Sequence, residues 1–94
     1  MNFKPAPALT PLMQQWTAAK AAQPPGTLVM VRLGDFYEFS HDDAKTAASV
    51  LKITLTRRQD VPMCGVPYHA VDRYTDLLIA AGHTVTTVEF GARK

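Results

Sequence analysis

The chain has 94 residues, 47% of them hydrophobic, enough for one domain with a single modest core and no stabilising staples. A lone cysteine, Cys64, excludes an internal disulfide and suits a reducing cytosol, and no Cys/His group has the spacing of a zinc site. Ten Lys+Arg against eight Asp+Glu leave a formal charge of +2, which permits nucleic-acid binding without demanding it. No apolar run approaches membrane-spanning length, and the start lacks a signal peptide's basic flank and apolar stretch.

Residues 1–8 carry two prolines and no periodicity and read as a loose lead-in. Thr10-Pro11 offers an N-cap followed by proline at the first helical position, and Leu12, Met13, Trp16 and Ala19 fall at helical spacing. That helix stops before Pro24-Pro25-Gly26. Leu28 to Leu33 and Phe36 to Ser40 read as two strands joined by the two-residue turn Gly34-Asp35. Tyr37 and Phe39 then face the core, while Phe36 and Glu38 point the other way, with Leu33 and Val31 as cross-strand neighbours. Ser40-His41-Asp42-Asp43 has the spacing of a helix start, its acids placed where the macrodipole favours them, and that helix buries Ala44, Ala47, Ala48 and Leu51. A strand is expected from about Ile53 to Thr56. Val61 to Val66 is a further extended segment in which Pro62 and Gly65 argue for an edge or an irregular position. Val71, Tyr74, Leu77, Leu78 and Ala81 trace one face of a helix closed by Gly82, and Thr84 to Phe90 is a last β-branched strand. The fold class is α/β: one small domain, its mixed β-sheet flanked by about three helices.

Within this order one string carries chemistry: Gly34-Asp35-Phe36-Tyr37-Glu38. Phe36 and Glu38, two apart on a strand, share a face. A flat apolar ring beside a hydrogen-bond acceptor suits wedging into a base stack from the minor groove. A core phenylalanine beside a surface glutamate is the plainer reading of so short a triplet.

The surrounding residues change the balance. Leu9-Thr10-Pro11-Leu12-Met13-Gln14-Gln15-Trp16, the string from Val31 to Ala44, Ile53-Thr54-Leu55-Thr56-Arg57-Arg58 and Pro62-Met63-Cys64-Gly65-Val66-Pro67-Tyr68-His69-Ala70-Val71 together resemble the N-terminal mismatch-recognition domain, domain I, of the MutS family. The resemblance sets a module at residues 9–90 with a tail at 91–94. It implies that Phe36 stacks on a mispaired or unpaired base and that Glu38 hydrogen-bonds that base. Opening a mismatched step costs less than opening a paired one, so such an aromatic senses deformability more than sequence. The carboxylate penalises ordinary duplex, since near phosphates it is repelled and desolvated unless a donor meets it.

The resemblance also makes Arg57 and Arg58 the leading phosphate-contact candidates, with Lys52 and Arg32 behind them; a solvated basic turn is the plainer alternative. It places Met63 near the DNA, whereas burial in a core gap is that residue's default. His69 reads as a structural residue at the start of the last helix. The implied partner is duplex DNA with mismatches or small bulges, together with a full-length MutS-type or other repair protein. Neither a cofactor nor catalysis is expected, because no Gly-x-x-x-x-Gly-Lys-Ser/Thr phosphate loop occurs. The expected compartment is the cytoplasm. The loop between Arg58 and Pro62 is shorter than is common in the family, and the sequence from Val88 onward departs from it. The opening Met1 and polar end fit a stand-alone module, an excised fragment being the alternative. Two other readings compete: a non-catalytic interaction or regulatory module that keeps the fold without reading DNA, and a small nuclease using Glu38, Asp42, Asp43 and His69.

Overall fold

The computed structural model describes residues 10–89, so the lead-in at 1–8, the tail at 91–94 and Phe90 lie outside the described residues. In chain order the elements are α1 (Pro11–Ala21), β1 (Thr27–Leu33), β2 (Phe36–Ser40), α2 (His41–Leu51), β3 (Thr56–Arg58), β4 (Val61–Pro67), a 3-10 turn (Tyr68–Ala70), α3 (Val71–Ala80) and β5 (Thr84–Glu89). The strands form one sheet in the order β3-β4-β2-β1-β5. β1–β2, β2–β4 and β3–β4 pair antiparallel and β1–β5 parallel, giving the mixed sheet the sequence predicts.

Strand alternation divides the core between the two faces of the sheet. On one face Leu28, Met30, Tyr37, Phe39, Cys64 and Val66 pack against Ala44, Ala47, Ala48 and Leu51 of α2 and Leu78 of α3. Small residues on α2 let it lie close to the strands. On the other face Val29, Val31 and Met63 pack under Leu12 and Trp16 of α1. Met63 is therefore a core residue, 4% exposed. The Thr10 hydroxyl accepts from the Met13 amide at 3.1 Å, which with Pro11 starts α1 as expected. Trp16 fixes α1 on the sheet by donating Nε1–H to the Val29 carbonyl at 2.7 Å and stacking on His41 at 4.9 Å.

The β1–β2 turn has positive φ only at Gly34 (+61°), the arrangement of a type II′ turn, whose twist matches that of the strands. In the β3–β4 hairpin both Gln59 and Asp60 take positive φ, the type I′ pattern, and Arg57 Nη1 donates to the Asp60 carbonyl at 2.8 Å. α3 ends in a Schellman motif: the amides of Gly82 and His83 donate to the carbonyls of Ile79 and Leu78 at 2.9 and 3.0 Å, with Gly82 left-handed.

Several expectations are corrected. The predicted strand from about Ile53 to Thr56 begins only at Thr56, because left-handed Lys52 ends α2 and the Ile53 amide bonds back to the Ala48 carbonyl. Pairing starts where β4 is in reach, at Thr56 opposite Met63. β4 is interior in the sheet order and regular, but it is paired on both sides only at Met63: Val61–Met63 pair with β3 and Met63–Pro67 with β2, so Pro62 and Gly65 each keep one open side, in line with the edge character that their residue types suggest. Ser40 stands at the N-cap of α2 without a side-chain cap bond, and its Oγ lies 2.7 Å from His41 Nδ1 instead. Asp43 does more than complement the helix dipole. It is buried, takes a 2.9 Å ion pair from Lys20 and accepts the Val29 amide at 3.0 Å, while Lys20 Nζ also donates to the Thr27 carbonyl. Of the apolar stripe on α3 only Leu78 is buried; Val71 and Tyr74 are partly covered and Leu77 is exposed.

Candidate nucleic-acid interface

Phe36 and Glu38 leave the sheet on the face that carries α1, as the alternation predicts: they pair across the β1–β2 hairpin with Leu33 and Val31, and across β4 with Pro67 and Gly65. Phe39, on the opposite face, is fully buried, but Phe36 is 47% exposed, the largest aromatic surface offered by the strands. The turn that carries it is tied down, since the Tyr68 amide donates to the Asp35 carbonyl at 2.8 Å. A half-exposed ring on a braced hairpin is pre-organised: it loses little freedom on contact.

Glu38 meets a donor within the chain. Arg58 Nη1 lies 3.3 Å from Glu38 Oε1, the two side chains meeting across the intervening β4. Glu38 retains 18% side-chain exposure and Arg58 43%. At that exposure water screens the pair, so it contributes at most about 1 kcal/mol and can be exchanged for other partners at low cost. The two arginines expected to act together are separated: Arg58 opposes Val61 on the face of Phe36 and Glu38, whereas Arg57 opposes Pro62 on the reverse face and braces its own turn. Lys52 is exposed at the C-cap of α2.

Arg32 lies at the same end of the sheet but on the other face. It pairs in register with Tyr37 and Glu89, donates Nε–H to the Gly34 carbonyl at 3.1 Å, stands 4.1 Å over the Tyr68 ring and comes within 4.0 Å of Glu89. Tyr37 donates its hydroxyl to Glu89 at 2.9 Å. Burial, then that bond and the Glu89 charge, hold the Tyr37 hydroxyl above its ordinary pKa. This cluster, absent from the sequence reading, joins β1, β2 and β5.

The nuclease residues do not converge. Asp43 is committed to Lys20, Asp42 is exposed with Lys45 at 3.7 Å, and His69 sits on the 3-10 turn edge-on to Tyr68. Among the described residues no three His, Cys, Asp or Glu side chains form a metal-binding group. Cys64 is buried with its thiol donating to the Ala44 carbonyl, and burial pushes its pKa up to about 12, so it is a core residue and not a nucleophile. No helix among the described residues is long and apolar enough to cross a membrane.

The period-two rule would have separated Arg57 from Arg58 had β3 been placed at 56–58; a strand ending at Thr56 left both in a loop, where no alternation applies. Their pairing partners depend on which strand lies beside which, and that has no local signal.

The chain is 51% identical over 87 residues to the DNA mismatch repair protein MutS of Desulforamulus reducens, covering 87% of this chain and 10% of that protein. It is 50% identical over 93 residues to the protein of the same name from Rhodopseudomonas palustris, and 49% over 77 residues to that from Thermotoga neapolitana, covering 90% and 82% of this chain. The chain thus spans about a tenth of the length of these curated relatives. The sequence pattern described as MutS domain I matches residues 10–92, a span containing the whole sheet and all three helices, and on that match the chain belongs to the MutS domain I family.

Proposed function

We propose that this chain is a non-enzymatic, cytoplasmic DNA-binding module of mismatch repair. It recognises mismatched or distorted duplex by inserting Phe36 from the minor groove, with Glu38 contacting the displaced base. The observation that carries the reading is the half-exposed Phe36 ring beside Glu38 on one face of a braced hairpin. Stacking on one base is worth roughly 1–3 kcal/mol, comparable to the few kcal/mol of unstacking it offsets, so only a step already weakened by mispairing favours entry. Arg58 keeps Glu38 neutralised in the absence of DNA, and on binding the guanidinium moves to a phosphate while the carboxylate turns to a base donor. The partner, besides DNA, is a full-length MutS-type or other repair protein.

Binding of matched, mismatched and single-base-bulge duplexes at two salt concentrations tests this. All three should bind weakly with a shallow salt slope, given a net charge of +2, and the distorted duplexes more tightly. Glu38→Gln should raise affinity for matched duplex more than for mismatched duplex, shrinking the difference. Equal affinities of the unaltered chain for all three duplexes would leave the interaction-module reading in its place.

The two arginines should also behave differently. Arg58→Ala is expected to weaken every duplex and reduce the salt slope by about 1, as for a lost phosphate contact. Arg57→Ala is expected to act chiefly on stability, by loosening the Gln59-Asp60 turn. Equal effects of the two substitutions on DNA affinity would remove the division between the faces.

A further inference from the structure

Gly65 is an exposed glycine in the interior of β4, a poor choice on conformational grounds: glycine gives up the most freedom on ordering and gives a strand no side chain to pack. Two structural reasons for a strand glycine, a bulge and a positive φ, do not apply. Register runs unbroken through Phe39 opposite Cys64, Glu38 opposite Gly65 and Tyr37 opposite Val66, so there is no bulge. Its φ is not positive, unlike those of Gly26, Gly34 and Gly82. A Cβ at position 65 would stand 3.5 Å from Glu38 Cγ and 3.9 Å from Phe36 Cβ, both ordinary contacts. The Tyr37 carbonyl, at 3.3 Å, is closer than ordinary contact, so the β2 backbone must give by a few tenths of an ångström. A side chain at position 65 would occupy the surface between Phe36 and Glu38.

We infer that Gly65 determines specificity: its bare backbone leaves the recess through which the edge of a displaced nucleotide reaches Glu38 while the base stacks on Phe36. A flat floor with an aromatic ring to one side and a carboxylate to the other fits a nucleobase of an opened pair that presents a hydrogen-bond donor at its edge. Close approach is the remaining reason for a glycine in a regular strand, by the Tyr37 carbonyl within the sheet and by a ligand on the exposed face, and the melting of the variants separates the two. The inference rests on the DNA reading above.

The test measures binding of Gly65→Ala and Gly65→Val to matched and single-mismatch duplexes, with Phe36→Ala in parallel and thermal melting on each. Melting temperatures should hold, the gain of a β-branched residue in a strand offsetting the small shift of the Tyr37 carbonyl. Matched-duplex affinity should stay within about twofold, because phosphate contacts are untouched. Affinity for the mismatched duplex should fall by up to about tenfold in Gly65→Val, the worth of one base contact, and by less in Gly65→Ala. If Gly65→Val keeps the full preference while Phe36→Ala loses it, the glycine inference alone fails. If Phe36→Ala keeps the preference, or the unaltered chain has none, the DNA reading fails and the inference with it. Unfolding of both glycine variants would make Gly65 a folding requirement and overturn the inference directly.

Discussion

Asp43→Ala is expected to lower the melting temperature of the chain by about 12–24 °C, the largest effect of any single polar substitution. Asp43 is 6% exposed and each of its oxygens takes a separate donor, the Lys20 ammonium at 2.9 Å and the Val29 amide at 3.0 Å. Alanine leaves a buried backbone N–H without an acceptor and removes the counter-charge from Lys20. Removing one partner of a buried pair costs about 3–5 kcal/mol, and Lys20, still bonded to the Thr27 carbonyl and partly in water, argues for the lower end. In a domain of this size each kcal/mol moves the midpoint by roughly 4–8 °C. Asp43→Asn should fall between, since its amide keeps one acceptor but turns an N–H₂ towards the second donor. Differential scanning calorimetry checks the series, and a loss under about 1 kcal/mol for Asp43→Ala would show that water replaces the carboxylate.

Phe36→Ala is expected to do the reverse, abolishing the preference for mismatched duplex while leaving the fold intact. The ring is 47% exposed, with Leu33 and Pro67 as its cross-strand partners, so its loss should cost about 1 kcal/mol. Phe39→Ala, three positions along and fully buried, should cost roughly 3–5 kcal/mol. If Phe36 supplies stacking worth about 1–3 kcal/mol, affinity for the mismatched duplex falls roughly 5- to 150-fold, towards that of matched duplex. Melting curves and duplex titrations on both variants decide it. Destabilisation by Phe36→Ala as severe as that by Phe39→Ala would make Phe36 a core residue and remove the wedge.

These two residues also mark what the sequence made legible. Phe36, Glu38 and their cross-strand neighbours followed from a two-residue turn and a period of two, rules that act over a few residues. Ala44, Ala47, Ala48 and Leu51 followed from helical spacing in the same way. Asp43 did not, because a helix-start aspartate has a sufficient local reason to be there, and its partners come from α1 and β1, which only the tertiary fold brings near. Pro62 and Gly65 were legible for a local reason: both weaken a strand, and each stands where β4 is paired on one side only, Pro62 with β3 and Gly65 with β2. The partner of Glu38 was hidden by a boundary error of two residues in β3.

β1 takes one neighbour from immediately after it in the chain and the other from the far end of the described residues, Thr27 pairing with Thr84. The first association closes a tight hairpin, an event on the order of 1–10 μs; the second cannot form until α2, β3, β4 and α3 have collapsed into place, and it must overcome the loop-closure entropy of everything between. The refolding chain should therefore display the Phe36 hairpin before the sheet is complete. Once folded, the edge strands β3 and β5 are each held from one side, so their amides should exchange with solvent sooner than those of the central β1 and β2.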